Sequence, residues 1–183
     1  MEIAIGISGA SGAQYGIRLL EVLSEMGITT HLIITNNAEQ IISIETEYDI
    51  ENIKKLADSV YDERDFTAPI ASGSHKYDAL IVAPCSMKTV AAIANGFSDN
   101  LIERAADVCL KEGRKVILMV RETPFSQIHL ENLLKLKQVG ADILPASPAF
   151  YNHPATIDDL INFMVGRVLD LLRIDNDIYK RWK

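Results

Sequence analysis

Cysteine is scarce: Cys85 and Cys109 are the only two in 183 residues. Two thiols cannot make a disulfide framework, so both are expected to be reduced. Long apolar runs are missing too. Nothing approaches the roughly 18–20 consecutive apolar residues that cross a bilayer, so no membrane partner is expected. Positive charge is in deficit, with 18 Lys and Arg against 25 Asp and Glu, a net −7. A nucleic-acid binder would carry a basic stripe. The one basic cluster, Tyr179-Lys180-Arg181-Trp182-Lys183, is too short to hold a duplex. The opening MEIAIGISGASG has no basic n-region, so no secretion leader is expected and the expected location is cytoplasmic. There is no internal repeat and no Pro/Gly/Ser-rich linker, so residues 1–183 are expected to form a single domain. The acidic balance has one informative consequence. Any anion site must be built locally, from helix N-termini and a few chosen cations.

What is present is a globular composition, 48% hydrophobic and 23% charged, arranged as strands alternating with helices. Residues 3–7, 30–35, 79–83, 115–120 and 141–144 are short apolar or β-rich runs, and Val60-Tyr61 reads as the start of an edge strand. Helical periodicity covers residues 13–26, 37–44, 50–59, 87–94, 101–112 and 125–139, with Pro124 suited to a helix N1 position. Thr156-Ile157-Asp158-Asp159 has capping-box form and opens a helix to about Leu172. Pro84 is expected to stop the third main strand, and residues 66–77 read as a loop. Near-continuous apolar strands between amphipathic helices predict an α/β fold. Its core is a doubly wound, Rossmann-like parallel sheet of five or six strands with helices on both faces. Ligands of such sheets bind outside the carboxyl ends of the strands.

The segments at those ends carry the candidate chemistry. Gly6-Ile7-Ser8-Gly9-Ala10-Ser11-Gly12 joins the first strand to the first helix. Its glycines allow close backbone approach, and free N–H groups at a helix start favour a phosphate. It fits no G-x-G-x-x-G frame, and the second strand ends in Thr35-Asn36-Asn37 without an acid for a ribose diol. The expected ligand is therefore a mononucleotide. Ser86-Met87-Lys88-Thr89 offers hydroxyls and a charge at a second helix start; alone, it would read as an N-cap serine and a solvated lysine. Arg121-Glu122 places two charges at the end of another strand, and Tyr151 follows the last one. Arg104 and Lys111 lie two helical turns apart on one face, while Arg167 falls among Met164, Val165, Val168 and Leu171, where a cation needs an anion or a neighbouring subunit. His31, His75, His129 and His153 show no metal-ligand spacing, and no metal is expected.

Taken together, these segments resemble the UbiX-type flavin prenyltransferases. The resemblance is carried by the Gly6–Gly16 run GISGASGAQYG, Ala71-Ser72-Gly73-Ser74, Pro84-Cys85-Ser86-Met87-Lys88-Thr89, Arg104-Ala105-Ala106-Asp107-Val108, Arg121-Glu122-Thr123-Pro124 and Pro148-Ala149-Phe150-Tyr151, in that order along nearly the whole chain. It implies a metal-independent transferase. The reaction joins the dimethylallyl group of dimethylallyl phosphate to reduced FMN and yields prenylated FMN, the cofactor of UbiD-type decarboxylases. It also implies a dodecamer with sites shared between subunits.

By the same resemblance Gly9, Ala10, Ser11, Thr35, Ser86, Met87, Lys88, Thr89 and Arg121 bind FMN. Arg104, Lys111, Tyr151 and Arg167 hold the prenyl phosphate, and Ser11, Glu45 and Glu122 are the catalytic positions. Phe66 stands in the prenyl pocket where many members have Trp, Thr35 where Ser is common, and Gly113 where Arg is frequent. Two alternatives differ in kind. A flavin-dependent cysteine decarboxylase of the related flavoprotein family shares the Asn95-Gly96-x-x-Asp99-Asn100-Leu101 segment. It would carry a His after the first helix and a Pro-x-Met-Asn clamp, and both are missing here. A non-catalytic FMN-binding protein would have no use for Arg104, Lys111 and Arg167. The residues leave open whether the donor is a monophosphate or a diphosphate, and which decarboxylase is served.

Overall fold

A computed structural model describes residues 1–182. Six strands form one parallel sheet in the order β3-β2-β1-β4-β5-β6. They are β1 (Glu2–Ile7), β2 (Thr29–Ile34), β3 (Ser59–Tyr61), β4 (Ala79–Cys85), β5 (Lys115–Val120) and β6 (Asp142–Pro145). The helices are α1 (Ala13–Glu25), α2 (Asn36–Glu45), α3 (Ile50–Lys54), α4 (Met87–Ala94), α5 (Leu101–Lys111), α6 (Gln127–Gln138) and α7 (Ile157–Leu171). The chain winds outward from β1 to β3, then crosses back to β4 and winds the other way. The switch point therefore lies between β1 and β4, where a doubly wound sheet opens its crevice.

Alternation along each strand divides the core in two. Ile3, Ile5 and Ile7 of β1 pack with Leu32, Ile81 and Ile117 under α1 and α7, around Ile17, Leu20, Val165 and Leu169. Ala4, Ile33, Leu80, Val82, Val116 and Leu118 face the other way, onto α4 and α5, around Val90, Leu101, Ile102 and Ala105. Both faces are covered, which is why β4 is buried along its whole length and reads as an unbroken apolar run. No helix among the described residues is long and apolar enough to cross a membrane.

Three local expectations are corrected. Strand β4 does not stop at Pro84 but runs through it to Cys85. The Ala83–Pro84 bond is cis, and the register with β5 shifts between Val82 and Cys85, a place where a proline's missing N–H interrupts no ladder. The third helical stretch, expected over residues 50–59, ends at Lys54. Asp58 turns out of it to accept the Thr30 N–H at 2.8 Å, which starts β3 beside β2. Pro124 is not at the start of α6. That helix is capped by Ser126, in a box with His129, two residues further on. The loop expected over residues 66–77 includes a short 3-10 turn at Pro69–Ala71, and the capping box at Thr156 and Asp159 forms as expected.

Helix α1 sits unusually close to the sheet because Gly16 has no side chain: a Cβ there would run into the Ala83 carbonyl oxygen. Overfilling a packed contact costs about 1–3 kcal/mol. Gly16→Ala is expected to lose that much stability by urea denaturation, while Ser24→Ala on the exposed side of α1 changes it by less than about 0.5 kcal/mol.

Candidate active site

The crevice is assembled by one buried hydroxyl. Ser8, 1% exposed at the end of β1, donates its N–H (3.2 Å) and its Oγ–H (2.9 Å) to the Pro84 carbonyl. The same Oγ accepts the Ser86 N–H at 2.9 Å. Ser8 thus ties the loop after β1 to the loop after β4. The helices that follow both loops start on the same side.

A cavity of about 540 Å³ opens there, within the roughly 300–1,000 Å³ of ordinary ligand pockets. It is lined by Ser8 and Gly9 from the first loop, Thr35, Asn36 and Asn37 from the start of α2, and Ser86, Met87, Lys88 and Thr89 from the start of α4. Glu63, Arg64, Asn100 and Glu122 close its rim. Thr35 caps α2 through the Ala38 N–H, and Ser86 caps α4 through the Thr89 N–H. Helix α1 begins instead at Gly12, in the left-handed region at φ 96° and with no side-chain cap. The Tyr15 N–H bonds the Gly12 carbonyl, and no side chain among the described residues caps the Ala13 and Gln14 N–H groups, the arrangement that suits a phosphate.

The charged groups are held in order. Glu103, fully buried in α5, accepts from the Asp99 N–H (2.8 Å), Asn100 Nδ2 (3.1 Å) and Lys88 Nζ (3.3 Å). Lys88 remains 70% exposed, so one side of its ammonium is anchored while the rest faces the cavity. Arg121 Nε donates to the Ser11 carbonyl at 3.2 Å, placing a guanidinium beside the start of α1. Glu45, the last residue of α2, folds back so that its Oε2 accepts the Gly12 N–H at 2.8 Å. Glu122 Oε1 accepts the N–H of Thr123 at 3.0 Å. On the rim, Glu63 accepts from Asn36 Nδ2 at 2.7 Å and Arg64 donates to the Asp99 carbonyl at 2.6 Å, lacing the loop after β3 to the starts of α2 and α5. Cys85 sits under this site, but burial, reinforced by the Glu103 charge, pushes its thiol far up. Burial also pushes Cys109 up, to about 11. Neither is a nucleophile at neutral pH.

Of the residues expected from the sequence, Gly9, Thr35, Ser86, Met87, Lys88, Thr89 and Glu122 line this one cavity. Ser11, Glu45 and Arg121 belong to the wall behind it through the contacts above, and Ala10 through its N–H, which donates to the Ser8 carbonyl at 2.8 Å. Phe66 lies half exposed in the loop that carries Glu63 and Arg64.

The described residues lining the cavity include none of Arg104, Lys111, Tyr151 and Arg167. Arg104 donates to the Ala71 carbonyl at 3.0 Å and pairs with Asp107 at 2.9 Å, and Lys111 closes the same helix on the surface. Tyr151 packs edge-on against Phe163 and Trp182, with ring centroids 6.0 and 4.9 Å away. Arg167 is not an isolated cation in the core. Its side chain is 44% exposed and pairs with Asp170 at 2.9 Å. Burial pushes the Asp170 carboxyl up, but hydrogen bonds from Arg181, Tyr179 and Asn176 outweigh this and hold it at about 2. It remains ionised as the anchor of the C-terminal segment. Glu63, Arg64 and Glu103 are site residues that the sequence did not single out, and Ser8 and Asn100 stood there only within longer segments, with no role of their own. Only the Asn100 cap, three residues before Glu103, offered a readable signal.

Comparison with known proteins is consistent with this geometry. Residues 1–169 match the Flavoprotein family model. A UbiX flavin prenyltransferase from Methanocaldococcus jannaschii is 56% identical over 182 residues, covering 100% of this chain and 98% of its own. A crystal structure of a UbiX protein in complex with FMN and dimethylallyl pyrophosphate has a TM-score of 0.98 at 47% identity, covering 100% of this chain and 97% of the other. A dodecameric FMN-dependent UbiX-like decarboxylase from Escherichia coli O157:H7 has a TM-score of 0.98 at 46% identity, covering 100% of both chains.

The stitch at Ser8 is testable. Ser8→Ala leaves the Ser86 N–H without its acceptor and is expected to cost roughly 1–3 kcal/mol in chemical denaturation. An unchanged midpoint would show that the two loops are held by other contacts.

Proposed function

Because the chain belongs to the UbiX family of flavin prenyltransferases, we propose that it transfers a dimethylallyl group from dimethylallyl phosphate to reduced FMN, acting as one flavoprotein domain over residues 1–183. The observation that carries this reading is the convergence of the loop before α1 and the starts of α2 and α4, with Lys88, on one cavity, with Arg121 in the wall behind it. The donor set fits FMN. An uncapped helix start and two cations suit a phosphate monoester. The hydroxyls and amides of Thr35, Asn36, Asn37, Ser86 and Thr89 suit the polar edge of a flavin. Bound reduced FMN supplies the nucleophilic ring nitrogen and the neighbouring ring carbon. The donor's allylic C–O bond would break with loss of phosphate as the ring nitrogen gives up its proton and bonds to carbon, and the donor's C=C bond, taking up a proton, would open to bond the ring carbon as that carbon releases its own proton.

The chain's own residues then have separable tasks. Gly9, Ala10, Ser11, Thr35, Ser86, Met87, Lys88, Thr89 and Arg121 bind and orient the flavin. Arg104, Lys111, Tyr151 and Arg167 hold the phosphate, whose charge grows as the allylic bond breaks and which fixed cations stabilise in advance. Phe66 presents an aromatic face that keeps water from the allylic carbon. Glu122 and Ser11 handle protons around the flavin and the leaving phosphate, Glu122 taking up the ring proton released as the second bond forms, and Glu45 is a further acidic position of the site.

These phosphate residues lie away from the cavity of their own chain, so the complete site needs a neighbouring subunit. Exposed apolar side chains support that assembly: Ile128, Leu130 and Leu134 along α6, together with Phe97, Phe150 and Ile157. The proposed state is a homododecamer in the cytoplasm that hands prenylated FMN to a UbiD-type decarboxylase.

The test separates binding from turnover. A charge-assisted hydrogen bond to phosphate contributes roughly 1.5–3 kcal/mol, which at 1.36 kcal/mol per factor of ten slows transfer by about 10–100-fold. Arg167→Ala is expected to keep FMN affinity and lose transfer by that factor in single turnover, with Tyr151→Phe milder. Glu122→Gln keeps FMN and stalls after the donor binds. Loss of FMN binding in Arg167→Ala, or intact transfer, would overturn the phosphate assignment.

A further inference from the structure

At the opposite end of the sheet, the starts of neighbouring strands bring together three side chains that the flavin site does not use. Glu2 is the first residue of β1, His31 is the third of β2, and His75 lies just before β4. Their ligand-type atoms all fall within 4.8 Å of one another. His31 Nε2 lies 2.6 Å from Glu2 Oε1, and His75 Nε2 lies 2.8 Å from the same oxygen. The two imidazoles stand perpendicular, with centroids 5.6 Å apart, each turning the same ring nitrogen to one point. We infer that Glu2, His31 and His75 form a binding site for one divalent transition-metal ion of the zinc class, separate from the flavin crevice.

Several features go beyond a chance meeting of a carboxylate and two imidazoles. His31 is buried, and its other nitrogen, Nδ1, lies 3.0 Å from the Tyr61 hydroxyl. A hydroxyl both donates and accepts. It therefore accommodates the Nδ1–H tautomer, which leaves the Nε2 lone pair free for a metal. Fixing the far nitrogen of a ligating imidazole is what outer-shell partners of metal sites do. Glu2 is held in place by reciprocal backbone contacts with Asp78: its N–H donates to Asp78 Oδ2 at 2.8 Å, and the Asp78 N–H donates to the Glu2 carbonyl at 2.8 Å. The Glu2 and His75 side chains are each 32% exposed, which supplies an entry path and an open position for water.

Two imidazoles with one carboxylate suit zinc and its neighbours; calcium and magnesium prefer oxygen ligands. Bonds of about 2.0–2.2 Å at tetrahedral angles place ligand atoms about 3.3 Å apart. The cluster therefore has to open by several tenths of an ångström, and the partly exposed side chains of Glu2 and His75 have room to do so.

The site would be structural. Six residues of β1 at about 3.3 Å each separate it from the crevice by about 20 Å. An ion there would staple the start of β1 to β2 and to the segment before β4. The spacing along the chain, 29 residues from Glu2 to His31 and 44 from His31 to His75, hides the site from any motif.

The test uses the full chain, stripped with a chelator and titrated with zinc chloride by calorimetry and with cobalt(II) by visible absorption. The expected result is one ion per chain, tetrahedral cobalt bands and a raised melting temperature. His75→Ala, on a half-exposed segment, is expected to melt like the wild type without metal and to lose both the bands and the rise. Glu2→Gln is the second variant for the same loss. Tyr61→Phe weakens binding by about 10–100-fold, while His129→Ala and His153→Ala bind as the wild type does. No saturable binding by the wild type, or undiminished affinity in both His75→Ala and Glu2→Gln, would overturn the inference.

Discussion

The hydrogen bonds of Ser8 hold the end of β1 against the end of β4, and the geometry of the crevice follows from that contact. In a parallel sheet every strand ends on the same side, so every following helix begins there with its donors outward. The winding order decides which ends become neighbours. Because β1 pairs with both β2 and β4, the loop before α1 and the starts of α2 and α4 share one cavity. Gly16 lets α1 lie close enough to β4 for this to happen, and the side-chain caps at Thr35 and Ser86 fix the other two entries.

An acidic chain reaches an anion site by local means. The net charge of −7 would repel a phosphate at long range, but screening limits that repulsion to roughly 10 Å. At the crevice the balance is set by Lys88 on its lining and Arg121 in the wall behind, each tethered on one side. Glu103 anchors Lys88 from below, and the Ser11 carbonyl anchors Arg121. Such tethers reduce the entropy lost when a ligand is bound. The acids Glu45 and Glu122 accept backbone N–H groups of the same wall, so they order the loops rather than crowd the cations.

Much of this was legible in the sequence, for identifiable reasons. Apolar runs and helical periodicity gave every strand and nearly every helix, because a sheet covered on both faces demands continuous hydrophobic strands. The glycine turn and Ser86-Met87-Lys88-Thr89 could be read because each sits at a strand end. Three elements were misread, two because a side chain or proline takes part in a contact from a distant segment and the third because a nearby serine makes the cap. Pro84 stays in β4 because Ser8 uses its carbonyl. Asp58 leaves its helix for the Thr30 N–H. Ser126, not Pro124, finds the geometry to cap α6. The rim residues Glu63 and Arg64 and the buried Glu103 depend on contacts that composition and periodicity do not encode, whereas the Arg167–Asp170 pair is an i,i+3 contact that helical spacing could have shown.

The central claim is that this crevice supports bond formation on the flavin as well as flavin binding. Its most direct test is mass spectrometry of the flavin recovered after anaerobic incubation of the full chain with reduced FMN and dimethylallyl phosphate. The account predicts a flavin heavier by one five-carbon prenyl unit, with one phosphate released per flavin converted. Recovery of unmodified FMN with the donor intact would contradict it.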